Sequence, residues 1–219
     1  MSIKPLCACL CVLVLLAGCA ELDNLLYGAP KPATPGAQAS ADGDADAVYI
    51  NPQAQVAGAT LRNVYIAPAN FANMQVIQPE GSSADGEWWI TEEENQTLQA
   101  AITYEFAVAL AYQSAFNVVY NPAQADLVLE TSVVAVHPDE TRGSVARRTT
   151  PGGAITVSIA AVSARSEVVM MRFVDTRASD DVWAFNQAKK DDAALAAVFR
   201  AWGDAVRRGL LQAQGRPGA

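Results

Sequence analysis

Near the C-terminus, Leu195, Val198, Phe199, Trp202, Val206 and Leu210 recur at three- and four-residue intervals. That spacing places all six side chains on one stripe of an α-helix. Asp191 or Asp192 stands where an N-cap belongs. Arg207 and Arg208 sit in the final turns, where cations complement the helix dipole, and Gly215 and Pro217 follow as stop signals. An apolar stripe this continuous must cover something. A helix lying on a membrane carries cationic residues along its polar face, whereas this one opens on two aspartates and has few positive charges before Arg200. The pattern therefore predicts a helix packed on a sheet.

A second helix is predicted over about 92–113. Thr91-Glu92-Glu93-Glu94 reads as a capping box, and Leu98, Ile102, Phe106, Ala109 and Leu110 share one face. Alternating or continuous apolar runs predict strands at 61–68, 116–120 and 125–138, each closed by a proline. In the strand over 125–138, Leu127, Leu129, Thr131, Val133 and Ala135 are expected to point one way and Val136 the other. The stretch 154–176 is long enough for one bent strand or two short ones. A turn is expected over Asp175–Asp181, with 182–190 returning as a hairpin partner. This order predicts an α+β fold: a mixed sheet of about four or five strands with two amphipathic helices packed on one face. A first strand joined through a helix to a parallel second strand implies a right-handed crossover.

All four cysteines fall in the first 19 residues, at Cys7, Cys9, Cys11 and Cys19. The first three lie inside an unbroken apolar run, residues 6–16, with no His, Asp or Glu beside them to complete a metal site. That run is too short for a permanent membrane span and follows a short segment carrying Lys4, which is the layout of a signal peptide. Leu16-Ala17-Gly18-Cys19, at its end, resembles a bacterial lipobox. The resemblance implies a diacylglycerol on the Cys19 thiol, cleavage before Cys19, and acylation of its amine. Each buried methylene contributes about 0.8 kcal/mol, so several acyl chains anchor a protein almost permanently. Ala20, in place of an aspartate, implies sorting to the outer membrane, on its periplasmic face. The domain would then hold together without a disulfide. Residues 19–58, rich in Ala, Pro, Gly and Asp, read as the lipidated cysteine and a flexible tether; 59–213 as the folded domain; 214–219 as a disordered tail.

The formal net charge of −8 argues against nucleic acid as a partner. His137 is the only histidine, it adjoins Pro138, and no Gly-x-Ser-x-Gly elbow presents a nucleophile for it. No paired His or carboxylate spacing marks a metal site, and Asp180-Asp181 and Asp191-Asp192 suit a turn and a cap. Glu167 and Asp175 are eight residues apart in a β pattern. That is roughly 25 Å if extended, too far for joint acid–base work. No catalytic residue, cofactor or metal is predicted. Two stretches remain for partner contact: Trp88-Trp89, either a staple at the helix entry or an exposed aromatic pair, and Arg142, Arg147 and Arg148 in a polar loop.

The segment SEVVMMRFVDTRASDDVWAF and the closing AVFRAWGDAVRRGL resemble the hairpin and last helix of a family of proteobacterial lipoproteins, the domain of unknown function numbered 3313. VYIAPANF and FNVVYNPAQADLVLETSVVAV fit the same order, so the resemblance spans about residues 60–212. Arg177-Ala178-Ser179-Asp180 stands where that family usually has a turn glycine. The family has no established activity, so the resemblance implies no catalytic residues. The expected function is a non-catalytic binding or assembly-accessory module of the envelope, held at the membrane by its N-terminal lipid and meeting an envelope protein. The competing expectations are a periplasmic hydrolase using His137 and an accessory lipoprotein of an envelope transport system.

Overall fold

The computed structural model describes residues 46–51, 61–81, 87–139, 152–186 and 191–216, all within one compact unit, Gly36–Ala219. The lipobox residues Leu16, Ala17, Gly18 and Cys19, and the loop residues Arg142, Arg147 and Arg148, lie outside the described residues.

Among the described residues seven strands form one mixed sheet: β1 (Ala47–Ile50), β2 (Asn63–Ile66), β3 (Gln75–Val76), β4 (Asn117–Val119), β5 (Leu127–Pro138), β6 (Gly153–Ser163) and β7 (Val169–Ser179). Two α-helices among the described residues, α1 (Glu92–Ala111) and α2 (Ala193–Ala213), accompany the sheet. The strand order is β1-β7-β6-β5-β2-β4, with β3 also paired to β5. β2 runs parallel to β4 and β5, so α1 links two parallel neighbours. β5, β6 and β7 form an antiparallel meander. The α+β expectation holds, with more strands than the four or five predicted.

Helix α1 starts as the capping box requires. The Glu94 amide donates to Thr91 Oγ1 at 3.2 Å, and the Thr91 amide donates to Glu94 Oε2 at 2.7 Å. Its buried stripe of Leu98, Ile102, Phe106, Ala109 and Leu110 joins the stripe of α2 and the inner face of the sheet in one core. The opposite sheet face is half-exposed and polar, with a Thr156–Thr176 hydroxyl contact at 3.0 Å. An antiparallel sheet tolerates this one-sided burial. A bridge of 2.7 Å from Arg200 Nε to the buried Glu105 carboxylate ties α2 to α1.

Of the two alternatives for residues 154–176, the structure has two strands, because Ala164–Ser166 turn and Glu167 takes φ 56°. Three sequence expectations need correction. Asp175 lies inside β7, and the turn comes later, from Asp180. Residues 182–186 of the expected 182–190 return strand do not pair with β7, which pairs with β6 and β1; residues 187–190 lie outside the described residues. Val182, Trp183 and Phe185 are instead buried around a 3₁₀ turn, where an apolar run fills the end of the core without adding a strand. Finally, the register of β5 shifts between Val133 and Ala135. The extra residue, Val134, puts Val136 rather than Ala135 opposite Ile155, although both side chains are buried.

Both domain boundaries move outward. Ala47–Ile50, placed in the tether by composition, pairs antiparallel with β7. At the other end Gln214, placed in the tail, is buried, and its Nε2 donates to the Leu61 carbonyl at 2.9 Å.

Asp126 pins the start of β5 to that of β2. Its Oδ2 accepts the Arg62 and Asn63 amides, each at 3.0 Å. The Asn63 amide first, then the Arg62 amide and the Arg165 charge, outweigh desolvation and hold its carboxyl below the usual carboxylate range. A depressed folded-state pKa stabilises the fold above the unfolded value of about 3.9, and the contribution fades as pH falls through the folded value. Asp126→Ala is expected to cost about 1–3 kcal/mol at neutral pH. The gap from the parent should narrow when denaturant midpoints are compared at pH 7 and at about pH 3.

Candidate functional site

The C-terminal half of β7 and the N-terminal half of α2 border an open groove of about 620 Å³. Small residues of α2, Ala194, Ala197 and Ala201, make one wall; Thr176, Arg177 and Ser179 of β7 make the other. Asp175 lies at its base and is buried, because β7 alternation turns it toward the helices. The carboxylate is closely held. Oδ2 accepts Trp202 Nε1 at 2.7 Å and Arg177 Nε at 2.8 Å, and Oδ1 accepts the Asp46 amide at 3.2 Å. With three donors committed, Asp175 fixes β1, β7 and α2 together rather than serving as a base. The groove is open to solvent and has polar rims.

The two tryptophans of 88–89 separate. Trp88 turns inward: its ring lies 5.5 Å from that of Trp183, and its backbone is clamped by the Gln78 side chain at 2.7 and 2.9 Å. Trp89 turns outward and is 57% exposed. Trp89 is thus a candidate contact and Trp88 a core residue. The box glutamate, Glu94, also accepts Asn186 Nδ2 at 2.6 Å, fixing the 3₁₀ turn beside this aromatic cluster.

His137 lies one residue from the end of β5, half-buried and paired with Ala154. Among the described residues its side chain has no hydrogen bond or ion pair. Glu167 is in the β6–β7 turn and Asp175 is buried in mid-strand, so the structure does not unite them. Asp180 and Asp181 are exposed in the turn after β7. Asp191 Oδ1 accepts the Ala193 amide at 3.1 Å at the start of α2, while Asp192, the N-cap by position, makes no side-chain capping bond. His137→Ala is expected to leave the melting temperature within about 2 °C, as for a surface change of under 0.5 kcal/mol; thermal unfolding monitored by circular dichroism checks this.

The groove itself escapes sequence reasoning. Asp46, Asp175 and Trp202 are distant in sequence and meet only through the β1–β7 pairing and the return of α2. An aspartate directly after Phe173-Val174 within a strand pattern is the one local signal available.

The sequence profile of the family described as "Protein of unknown function (DUF3313)" matches residues 36–206. The chain belongs to this family. The DUF3313 match starts upstream of β1, in accord with the inclusion of that strand in the domain. No curated protein matches the chain. Among solved structures, it is similar to protein XCC0632 from Xanthomonas campestris at 13% identity, with a TM-score of 0.42, covering 71% of this chain and 86% of that one. It is similar to the PelC dodecamer from Paraburkholderia phytofirmans at 13% identity, with a TM-score of 0.37, covering 68% and 86%. Lipoprotein GNA1162 from Neisseria meningitidis is similar at 8% identity, with a TM-score of 0.34, covering 63% and 91%.

Proposed function

We propose that this DUF3313 protein is a lipid-anchored module of the cell envelope that binds an envelope partner without catalysis. Its lipid is on Cys19, and its place is the periplasmic face of the outer membrane. The observation that carries this reading is Leu16-Ala17-Gly18-Cys19 at the end of the apolar run 6–16, followed by Ala20. Among the described residues no helix is long and apolar enough to cross a membrane. The polar-rimmed groove between β7 and α2, and the exposed Trp89 beside α1, supply surfaces for the partner. An accessory lipoprotein of a transport system is one form this role takes, distinguished by the identity of the partner.

Cys19→Ala is expected to accumulate as an uncleaved precursor without acyl label, because the lipid acceptor is gone. Radiolabelled palmitate incorporation, followed by membrane fractionation, measures this. Equal incorporation in the parent and the variant contradicts the reading. Crosslinking the parent in cells through a photoreactive residue at position 89 is expected to capture an envelope protein that the Cys19→Ala variant does not reach.

A further inference from the structure

At the end of the sheet where β2 and β5 begin, the chain gathers positive charge. Arg62 immediately precedes β2, Arg165 sits in the β6–β7 turn, and Arg216 follows α2. The Arg62 and Arg216 guanidiniums converge on one acceptor: each donates through Nη1 to the Ala115 carbonyl, at 3.5 and 3.2 Å. Arg216 is further positioned by Gln214 Oε1 at 3.2 Å and by the Phe116 ring, 5.6 Å from its centre. Gln214 is itself fixed to the Leu61 carbonyl, so the end of α2 is tied to the approach to β2.

Two like charges sharing one carbonyl repel unless an anion joins them. Among the described residues no carboxylate pairs with either guanidinium. The nearby Asp126 is engaged elsewhere, accepting the backbone amides of Arg62 and Asn63 and facing Arg165 at 3.8 Å. This is notable in a chain of net charge −8, where carboxylates are plentiful. Burial, and then the neighbouring Arg62, lower the pKa of Arg216. Each guanidinium carries five N–H donors in a planar fork, and the contacts above occupy few of them. The fork matches the oxygen spacing of phosphate, and two forks side by side match a tetrahedral anion from two directions.

We propose that Arg62 and Arg216 form a binding site for a phosphate group, with Arg165 adding long-range attraction. The phosphate belongs either to free inorganic phosphate or to a glycerophospholipid headgroup; the recognition chemistry is shared. The site stands apart from the β7–α2 groove and does not depend on the lipid anchor.

The test is thermal unfolding of the full chain, purified in a non-ionic detergent, at constant ionic strength. Chloride is compared with inorganic phosphate and with glycerol 3-phosphate, the soluble headgroup analogue. Saturating phosphate is expected to raise the melting temperature by about 3–6 °C over chloride. Arg62→Gln, at an exposed position, should melt in chloride at or slightly above the parent temperature, because a repulsion is relieved, and should lose most of the phosphate-specific rise. Arg216→Gln should behave alike in phosphate, and Arg62→Lys should keep part of the rise. A half-maximal rise at lower glycerol 3-phosphate than inorganic phosphate assigns the headgroup; the reverse assigns the free anion. No rise in the parent, or an equal rise in parent and Arg62→Gln, reflects only general salting-out by phosphate and overturns the proposal.

Discussion

Replacing Trp202 by alanine is expected to remove about 3–5 kcal/mol of stability, the cost of truncating a large, fully buried aromatic side chain. Trp202 is 0% exposed at the middle of the α2 stripe, and its ring lies 5.4 Å from that of Phe199. It also donates to Asp175, so truncation leaves a cavity and removes one of three donors from a buried carboxylate. A domain of this size holds only about 5–15 kcal/mol in total. The melting temperature of the Gly36–Ala219 unit should fall by about 10 °C or more. Trp202→Phe separates the two losses: it keeps most of the ring and removes the donor, and should cost less, about 1–3 kcal/mol. If the stripe were a docking surface instead, both variants would melt with the parent and lose only partner binding.

The second large effect is expected at Gly203, where α1 and α2 approach closely. A Cβ built there would come within 2.7 Å of Ala109 Cβ and 3.3 Å of the Glu105 carbonyl. Glycine to alanine within a helix ordinarily gains roughly 0.5–1 kcal/mol. Here the sign should reverse, since neither neighbour can yield without moving a helix. Gly203→Leu is expected to cost about 1–3 kcal/mol or more by overpacking, and to strain the Arg200–Glu105 bridge one turn away. The double variant Gly203→Ala/Ala109→Gly returns the missing space. Its measured stability should exceed the sum of the single effects, as expected for residues in contact.

The helices were legible in the sequence because their signals are local. Thr91 and Glu94 announce the start of α1 three residues apart, and the two hydrogen bonds they imply are present. The α2 stripe from Leu195 to Leu210 is buried throughout. The sheet was less legible because its decisions are made between strands. Val182-Trp183-Ala184-Phe185 has strand-like composition, yet β1 already occupies the outer edge of β7. β1 itself is only four residues long, and although Val48, Tyr49 and Ile50 are β-formers, they follow an Ala- and Asp-rich stretch whose composition reads as tether. The β6–β7 turn contains no glycine or proline; Glu167 adopts positive φ in their place. The bulge at Val134 reverses the inward parity of β5 without any residue that demands one. Of the candidate contact residues, the Trp88-Trp89 pair was visible as a pair, but which ring faces inward depends on Trp183, nearly a hundred residues away. The groove above Asp175 and the Arg62–Arg216 pair rest on contacts between chain ends, which a linear pattern does not encode.

Mass spectrometry of the N-terminal peptide, prepared from protein extracted from its native membrane, decides whether Cys19 carries the anchor. The expected peptide begins at Cys19, bears a diacylglyceryl thioether, and is acylated on its amine. A peptide that begins at an unmodified residue, whether an intact Met1 or a cut beside Ala20 without lipid, contradicts an anchor at Cys19.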